Sequence, residues 1–576
     1  MRVGSEEENA KLFFLYQEAD SVLKLESNAA AGSKRKKTAP TAAAASPSLS
    51  TLSTSANAST PIIIWLQGGP GSSSLLGAFF EMGRYVIQDG GDGSLHRNPE
   101  SWTRDSAMLF VEYPLGVGFS LAGARRLPAT SAAAAVDLVS GLQHFFEERP
   151  QLAGRPLVLA GESYAGKYVP EAAALALRLA SDDEATRRGA REQAEARGGG
   201  GGGSPAAAAL PPASSPLAFA LRGAAVGNGL VDPPSQAARM GPYLFARGLI
   251  NATTLRRNER RAANLSSLAA KGLWAEAHSV REAMVSSLTR SALGANGTLL
   301  DWRRSEGYDA GDRVRSLLRT PAARAALGVD PDAPTWQRRA KAVAAALHDD
   351  KAVSSAPVVA EVVTQVPFLL YFGVEDAKAS LFSFSSFFFA MGALSFFPTT
   401  GGEKTSRASP LRGPHFSLTR SHDDQQPRAP QDGYFSSQPW IAALDWPGAP
   451  EFKDATPTAL PPRPSDGVGG GTLRSGGGLT VATVADAGHM VPADQPAAAR
   501  AMINLWLRDS VMPSYEADLA LGDSPAARRA AAAADAEMER RAEAAAEATA
   551  TAEAAANAAA AAVLAADGAE TTETPA

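Results

Sequence analysis

A serine at a strand-to-helix junction is the first residue of this chain whose surroundings suit chemistry. The apolar run 157–160 leads into GESYA (161–165), and a helical pattern follows. A sharp turn of this kind lifts the hydroxyl of Ser163 off the sheet, provided that the residues two before and two after it are small. Gly161 and Ala165 meet that condition. A serine at such a place usually only caps the following helix, but the small residues on both sides favour a nucleophile.

A serine hydroxyl reacts only when a base removes its proton and an acid orients that base. His489 follows the predicted strand 479–484 and precedes the last predicted helix, and it alone among the seven histidines has such a position. Asp376 stands just past the strand 366–372. Glu375 is the competing acid, since only the side-chain direction decides between them, and we prefer Asp376. The order Ser163, Asp376, His489 is that of α/β-hydrolases.

Acyl chemistry also needs two N–H groups that point at the developing oxyanion. The backbone N–H of Tyr164, directly after the nucleophile, is one candidate. The second is expected from the glycine-rich loop QGGPGSSS (67–74), which follows an early strand. Such a loop can also hold a phosphate, but no lysine follows it and its spacing is not G-x-G-x-x-G.

Strand and helix patterns alternate around these residues. Alternation of this kind predicts an α/β fold with a mostly parallel central sheet and helices on both faces. Between about 235 and 360 the pattern is helical without good strands, which predicts a helical cap insertion. The predicted strands are 61–66, 107–113, 156–160, 219–226, 366–372 and 479–484, and the predicted helices are 132–148, 168–179 and 494–507.

Several motifs together resemble the serine carboxypeptidases of the α/β-hydrolase superfamily. They follow the family's order and cover most of residues 61–235 and 366–510. The glutamine of WLQGG, Gln67, makes this motif resemble that of the branch of vitellogenic-like and plant carboxypeptidase-like proteins. The motifs are WLQGGPGSSS (65–74), FFEMG (79–83), NPESW (98–102), VEYPLGVGFS (111–120), GESYAGKYVP (161–170), GNGLVDP (227–233) and AGHMVPADQP (487–496).

The resemblance implies a role for each matching residue. The substrate is then a peptide with a free C-terminal carboxylate, and two acids can bind that carboxylate when they share a proton. No cofactor and no metal are implied. The implied roles are Ser163, Asp376 and His489 as catalytic triad, Gly69 and Tyr164 as oxyanion hole, Gln67, Gly68, Glu81 and Glu162 as carboxylate-binding residues, and Met490 as part of the substrate pocket.

Three functions stay open at this point. The leading one is a serine-type carboxypeptidase that removes C-terminal amino acids through an acyl-enzyme. The second is an acyltransferase of the same architecture, in which an alcohol replaces water. The third is a catalytically impaired product, because a foreign insert at 377–431 begins directly after Asp376 and is predicted to leave that residue poorly held.

Composition excludes some classes of partner and chemistry. The 55 basic and 60 acidic residues give a net charge of −5, which argues against nucleic-acid binding. Without cysteine the chain has no disulfide and no thiolate site. The apolar run 380–397 is at the lower limit for a membrane span, and we predict no stable span there because it would separate Asp376 from His489. A homodimer is left open.

Localisation signals conflict. The acidic segment Met1 to Asn9 is not a secretion signal and, by itself, predicts a cytoplasmic chain. The family resemblance implies the secretory pathway, in a vacuole, a lysosome or outside the cell. The N-glycosylation candidates are Asn57, Asn251, Asn264 and Asn296.

The chain divides into four parts. The hydrolase core is predicted in two segments, 1–234 and 366–510, and the helical cap at 235–365 separates them. The first segment contains low-complexity loops at 29–60 and 181–217, and the second contains the foreign insert. The alanine-rich tail at 511–576 is predicted to be disordered or marginally helical.

Overall fold

A computed structural model gives the structure of this protein. It describes residues 1–3, 9–20, 60–88, 93–197, 217–294, 297–304, 307–308, 310–377, 439–461 and 470–513. Nearly all of the predicted loop 29–60, the segment 378–438 and the predicted tail beyond 513 therefore lie outside the described residues.

One nine-stranded sheet is the centre of the fold, in the order β11-β12-β13-β10-β9-β8-β4-β7-β3. Two further pairs, β1 with β2 and β5 with β6, form small antiparallel ladders. The strands are β1 Arg2–Val3, β2 Ala10–Lys11, β3 Phe14–Gln17, β4 Ile62–Leu66, β5 Tyr85–Ile87, β6 Leu95–Arg97, β7 Ala107–Val111, β8 Leu157–Glu162, β9 Leu221–Gly227, β10 Phe368–Gly373, β11 Thr458–Leu460, β12 Gly471–Gly476 and β13 Leu479–Val484.

The six strands predicted from apolar runs form the parallel part of the sheet. Every residue of β4, β7, β8, β10 and β13 is buried, as expected for strands that are covered on both faces. The edge strands β3 and β11, and β12 next to β11, pair antiparallel with their neighbours. The mostly parallel sheet predicted from the sequence is thus confirmed, while these edge strands were not predicted because their residues are largely half-buried or exposed.

Helices cover both sides of this sheet. Shorter helical turns of the 3₁₀ or π type occur at Gly77–Glu81, Trp102–Arg104, Pro150–Leu152, Asp349–Ala352 and Leu507–Val511. The α-helices are α1 Ser131–Glu148, α2 Ala165–Arg197, α3 Pro233–Ala246, α4 Ala252–Ala270, α5 Trp274–Leu293, α6 Ala310–Leu318, α7 Pro321–Ala326, α8 Lys341–Ala346, α9 Ala356–Val363, α10 Pro439–Ala442, α11 Ala449–Asp454, α12 Val491–Asp494 and α13 Pro496–Trp506.

Helix α2 differs from the prediction at its end. We assigned 181–217 to a low-complexity loop, but the helix continues through 181–197. That stretch is rich in Ala, Glu, Arg and Gln, which have high helix propensity, and the glycine run begins only at Gly198. The loop prediction was therefore wrong for 181–197.

The segment between β9 and β10 is helical, and we call residues 233–363 the cap. Helices α3, α4 and α5 pack around a small core of their own that includes Met240, Leu265 and Met284. No helix of the described residues is long and apolar enough to cross a membrane. The apolar run 380–397 lies outside them.

Candidate active site

The strand-to-helix junction has the geometry of a nucleophile elbow. Ser163 follows β8 with a left-handed φ of 62°, and its N–H donates to the carbonyl of Gly227 at 2.9 Å. A Cβ at position 161 would lie 2.4 Å from the carbonyl oxygen of Leu66 and 2.6 Å from the Cβ of Ala165. Glycine is therefore required at 161, and the turn leaves the Ser163 side chain half-buried at the carboxyl edge of the sheet.

The glycine-rich loop lies directly on this elbow. A Cβ at Gly68 would be 2.4 Å from the backbone nitrogen of Tyr164, so only glycine permits this approach. Gly69 has φ 109°, which strongly favours glycine. In the described part of the chain, the N–H groups of Gly69 and Tyr164 have no acceptor, as a preorganised oxyanion hole requires.

The structure brings His489 against Asp376. The His489 Nδ1 and the Asp376 Oδ2 are 2.5 Å apart, the carboxylate is fully buried and the histidine is 6% exposed. Glu375 points elsewhere, since its Oε2 accepts from Trp302 Nε1 at 2.6 Å and lies 3.3 Å from Arg247. Of the two acids left open by the sequence, Asp376 is the one at the ring.

Ser163 and His489 meet at two cavities. Both line a cavity of about 300 Å³, here the Gln67 cavity, together with Gln67, Glu162 and Met490. Both also line a cavity of about 150 Å³, here the Lys351 cavity, which contains Lys351 but none of those three residues. The described hydrogen bonds include none between the two side chains, and such contacts often tighten only when substrate is bound.

Three buried polar residues form one cluster beside the Gln67 cavity. The Gln67 amide donates to Glu162 Oε1 at 2.7 Å and to Glu81 Oε1 at 3.3 Å. Within the described structure, the Oε2 atom of each glutamate is buried without a hydrogen-bond partner. Glu162 lines the cavity, whereas Glu81 lies outside its lining. We call these three residues the acid pair with Gln67.

Burial controls the protonation of this cluster. It raises the pKa of the Glu81 carboxyl to about 7, although hydrogen bonds with Glu162 and, to a smaller extent, from Gln67 oppose it. Burial, and after it the negative charge of Glu81, raises the pKa of Glu162 well above its usual range. Two carboxyls this close favour one proton between them near neutral pH.

Two functional positions were missed by sequence reasoning. Asn228 donates from its side chain to the carbonyls of His489 at 2.7 Å and Gly488 at 3.1 Å, and it accepts from the N–H of Gly373 at 3.0 Å. It therefore joins the loop of the base to the strand that carries Asp376. Asn228 has a left-handed φ of 44°. The sequence signal for this position is an Asn between two glycines, because Asn is enriched in the left-handed region.

Asp494 is the second missed position. Its Oδ2 accepts from the N–H of Gly488 at 2.8 Å and from the hydroxyl of Tyr308 at 2.7 Å. It thereby fixes the backbone just before His489 from the helix that follows.

Some predicted sites can be placed and others cannot. Asn251 caps α4, and Asn264 is exposed on the same helix. Asn57 and Asn296 lie outside the described residues. Among the described residues, no group of three or more His, Cys, Asp or Glu side chains is arranged to hold a metal.

The fold and this constellation define a serine hydrolase of the α/β-hydrolase type. A model of the family described as serine carboxypeptidase matches residues 50–187, 213–393 and 432–509. That is more than half of the chain, so the protein belongs to the serine carboxypeptidase family and the family predicted from the motifs is confirmed. Within the predicted insert, the match includes 377–393 and leaves 394–431 unmatched.

Individual relatives agree with this assignment. Serine carboxypeptidase-like 50 of Arabidopsis thaliana is 28% identical over 451 residues, which are 78% of this chain and 80% of that protein. A pheromone-processing carboxypeptidase of Eremothecium gossypii is 34% identical over 197 residues, 34% of this chain and 28% of that protein. The crystal structure of a prohormone-processing carboxypeptidase from Saccharomyces cerevisiae matches with a TM-score of 0.56 at 20% identity, over 79% of this chain and 84% of that one.

Proposed function

We propose that this protein removes single amino acids from the free C-terminus of peptides through an acyl-enzyme on Ser163. The observation that carries the proposal is the 2.5 Å contact between His489 Nδ1 and buried Asp376, on a histidine that lines the same cavities as Ser163. The contact leaves Nε2 of His489 as the nitrogen available for a proton from serine.

In the first half of the reaction, the Ser163 oxygen attacks the last peptide carbonyl while His489 takes its proton. The negative oxygen of the tetrahedral intermediate accepts hydrogen bonds from the N–H groups of Gly69 and Tyr164. The intermediate collapses when His489 gives the proton to the departing amine, so that the C–N bond breaks and the C-terminal amino acid leaves.

In the second half, water takes the place of the amine. His489 removes a proton from this water, the oxygen attacks the ester carbonyl, and the proton returns to the Ser163 oxygen as the acyl group leaves. Asp376 stabilises the imidazolium in both halves.

Recognition of the terminal carboxylate is assigned to the acid pair with Gln67 and to Gly68. When Glu162 carries the shared proton it donates to the substrate, whereas two ionised glutamates would repel it. Met490 lines the same cavity and contacts the side chain of the residue to be released.

A fluorophosphonate probe tests the nucleophile. We expect it to label the intact protein at Ser163, to fail with Ser163→Ala, and to label Ser279→Ala, which changes an exposed serine of α5, as strongly as the unchanged protein. Absence of labelling in the folded protein would support a catalytically impaired product.

A blocked dipeptide and its C-terminal amide then test the reaction. A carboxypeptidase releases the last amino acid from the acid and leaves the amide largely intact. Transfer of the acyl group to an added alcohol, with no hydrolysis in its absence, would support the acyltransferase.

We further infer an acidic compartment of the secretory pathway as the place of action. The raised pKa of both Glu81 and Glu162 supports this, because acid keeps the shared proton in place. Exposed Asn264 and Asn251 are the glycosylation positions among the described residues. A mobility shift on N-glycosidase treatment is expected, and it should become smaller when both are changed to Gln; no shift in the unchanged protein would contradict secretion by this route.

A further inference from the structure

The Lys351 cavity lies on the acyl side of the nucleophile, an assignment that depends on the proposed function. With the terminal carboxylate at Gln67 and Glu162, the scissile carbonyl is at Ser163, where the two cavities meet. The residue before the scissile bond must then extend away from the Gln67 cavity. Among the described residues, the Lys351 cavity is a second space that Ser163 and His489 line.

Three cations and one acid line this cavity. The cations are Arg281, Arg339 and Lys351, and the acid is Glu282. Arg281 Nη1 lies 3.2 Å from Glu282 Oε1, but the glutamate side chain is 56% exposed while that of arginine is 12% exposed. The positive charge is thus the less hydrated member of this pair.

The cations have unused capacity for an anion. Within the described structure, Arg281 Nε is buried without a hydrogen-bond partner, and the Lys351 ammonium makes neither a hydrogen bond nor an ion pair. The Arg339 side chain donates, among the described residues, only to the carbonyls of Pro70 and Gly69, each at 3.2 Å. An anion placed between these groups would therefore gain donors that no carboxylate of the described chain occupies.

Nearby titratable groups do not neutralise the cavity. Burial, and after it the positive charge of Arg339, lowers the pKa of Lys351, with Arg281 acting the same way and Glu282 opposing. His278, whose ring packs on His348 at 4.5 Å, has a pKa lowered to about 4 by burial and is neutral above that pH. The Asp350 carboxylate is occupied by Tyr164, Ser131 and, at 3.9 Å, Lys167.

We propose that the Lys351 cavity selects peptides with an acidic residue directly before the C-terminal one. Its volume of about 150 Å³ equals that of an engineered cavity that accepts benzene, and a glutamate side chain has fewer heavy atoms than benzene. A carboxylate there forms charge-assisted hydrogen bonds in a partly dry site, where they are strong.

Four N-blocked dipeptides with C-terminal Leu test this, with Glu, Gln, Leu or Lys as the preceding residue. Glu and Gln have nearly the same shape, so their ratio of kcat/KM isolates the charge. At pH 6 we expect the Glu peptide to exceed the Gln peptide about tenfold, as one charge-assisted hydrogen bond supplies. The Lys peptide should be the poorest, and the Glu preference should shrink as salt is raised.

Substitutions locate the effect. Lys351→Met should bring the Glu-to-Gln ratio close to one, and Lys351→Glu should reverse it. Lys271→Met removes the same charge from an exposed position at the end of α4 and should keep the ratio of the unchanged enzyme.

The outcomes separate the two proposals. A ratio of one or less in an enzyme that cleaves the Gln peptide overturns the acidic preference and leaves the carboxypeptidase intact. No cleavage of any of the four peptides, in a protein whose Ser163 still reacts with the fluorophosphonate, overturns both. A tenfold ratio that survives Lys351→Met overturns the assignment to this cavity.

Discussion

Two buried acid sites of this protein use the same residue type for different purposes. Glu112 is fully buried and accepts hydrogen bonds from Ser73 Oγ at 2.8 Å, Trp336 Nε1 at 3.0 Å and the N–H of Ser74 at 3.0 Å. Both of its oxygens have donors. It joins the glycine-rich loop to the cap, and we call it the Glu112 anchor.

The acid pair with Gln67, unlike the Glu112 anchor, has fewer hydrogen-bond donors than carboxyl oxygens. Two carboxyls share the donors of a single amide, and one oxygen of each is buried without a donor among the described residues. Burial raises the pKa of both Glu112 and Glu81 to about 7. A raised pKa alone therefore does not distinguish these two sites, whereas the number of missing donors does.

Removing the anchor should have the largest effect. Glu112→Ala leaves the Ser73 hydroxyl and the Ser74 N–H buried without an acceptor, at about 1–3 kcal/mol each, and leaves the indole N–H of Trp336 only the Ser73 Oγ at 3.1 Å. We expect the free energy of unfolding in urea to fall by about 3–5 kcal/mol. The KM of the folded fraction should stay within about twofold, and an increased KM with unchanged stability would assign Glu112 to substrate binding instead.

Glu162→Ala should raise KM and leave stability nearly unchanged, the reverse of what we expect for Glu112→Ala. The terminal carboxylate loses a charge-assisted hydrogen bond of about 1.5–3 kcal/mol, so KM for a peptide acid should rise about ten- to a hundredfold. The free energy of unfolding should change by less than about 1 kcal/mol, because removing a poorly satisfied acid offsets the cavity that is left. Peptide hydrolysis and urea unfolding of the same preparation measure both, and Glu112→Gln with unchanged KM is the control.

Local sequence patterns predicted the parallel strands and the residues at their ends. Apolar runs predicted the parallel strands. Since Ser163, Asp376 and His489 follow the carboxyl ends of β8, β10 and β13, they lie at one edge of the sheet. The choice between Asp376 and Glu375 needed coordinates, because both follow the same strand and only the side-chain direction differs.

The anchor left no local signal. Glu112 was part of a recognised motif, but its partner Trp336 is 224 positions away in the cap. The strands β11 and β12 were missed for a related reason, since β12 forms by pairing with β13 and β11 by pairing with β12, and neither has an apolar run of its own. Contacts between distant segments cannot be read from periodicity.

The pH dependence of recognition sharpens the contrast at the acid pair. Below its raised pKa, Glu162 retains the proton that it can donate to the substrate, and above that pKa this donor is lost. The ratio of kcat/KM for a peptide acid over its amide should thus fall, at most tenfold per pH unit, as the pH rises through the raised pKa of Glu162. The ratio cancels the titration of His489, which affects both substrates.

Glu162→Gln is the matched variant for that profile. Its amide donates at every pH, so the ratio of acid to amide should be nearly flat from pH 6 to 9. An equally steep fall in this variant would place the titrating group elsewhere.

The smallest effect is expected in the pH dependence of stability at the anchor. The folded pKa of Glu112 is raised from 4.5 to about 7, chiefly by burial, so between these values the folded state binds more protons than the unfolded one. Stability from this group is therefore greatest below pH 4.5 and is lost as pH rises toward 7. We expect the unfolding free energy of the unchanged protein to fall relative to that of Glu112→Gln by about 1 kcal/mol per pH unit from pH 5 to 7, below the limit of about 1.4 for one proton. The acid pair contributes equally to both proteins and cancels, so an unfolding free energy that stays parallel to that of Glu112→Gln at pH 5, 6 and 7 would show that Glu112 stays ionised in its hydrogen bonds.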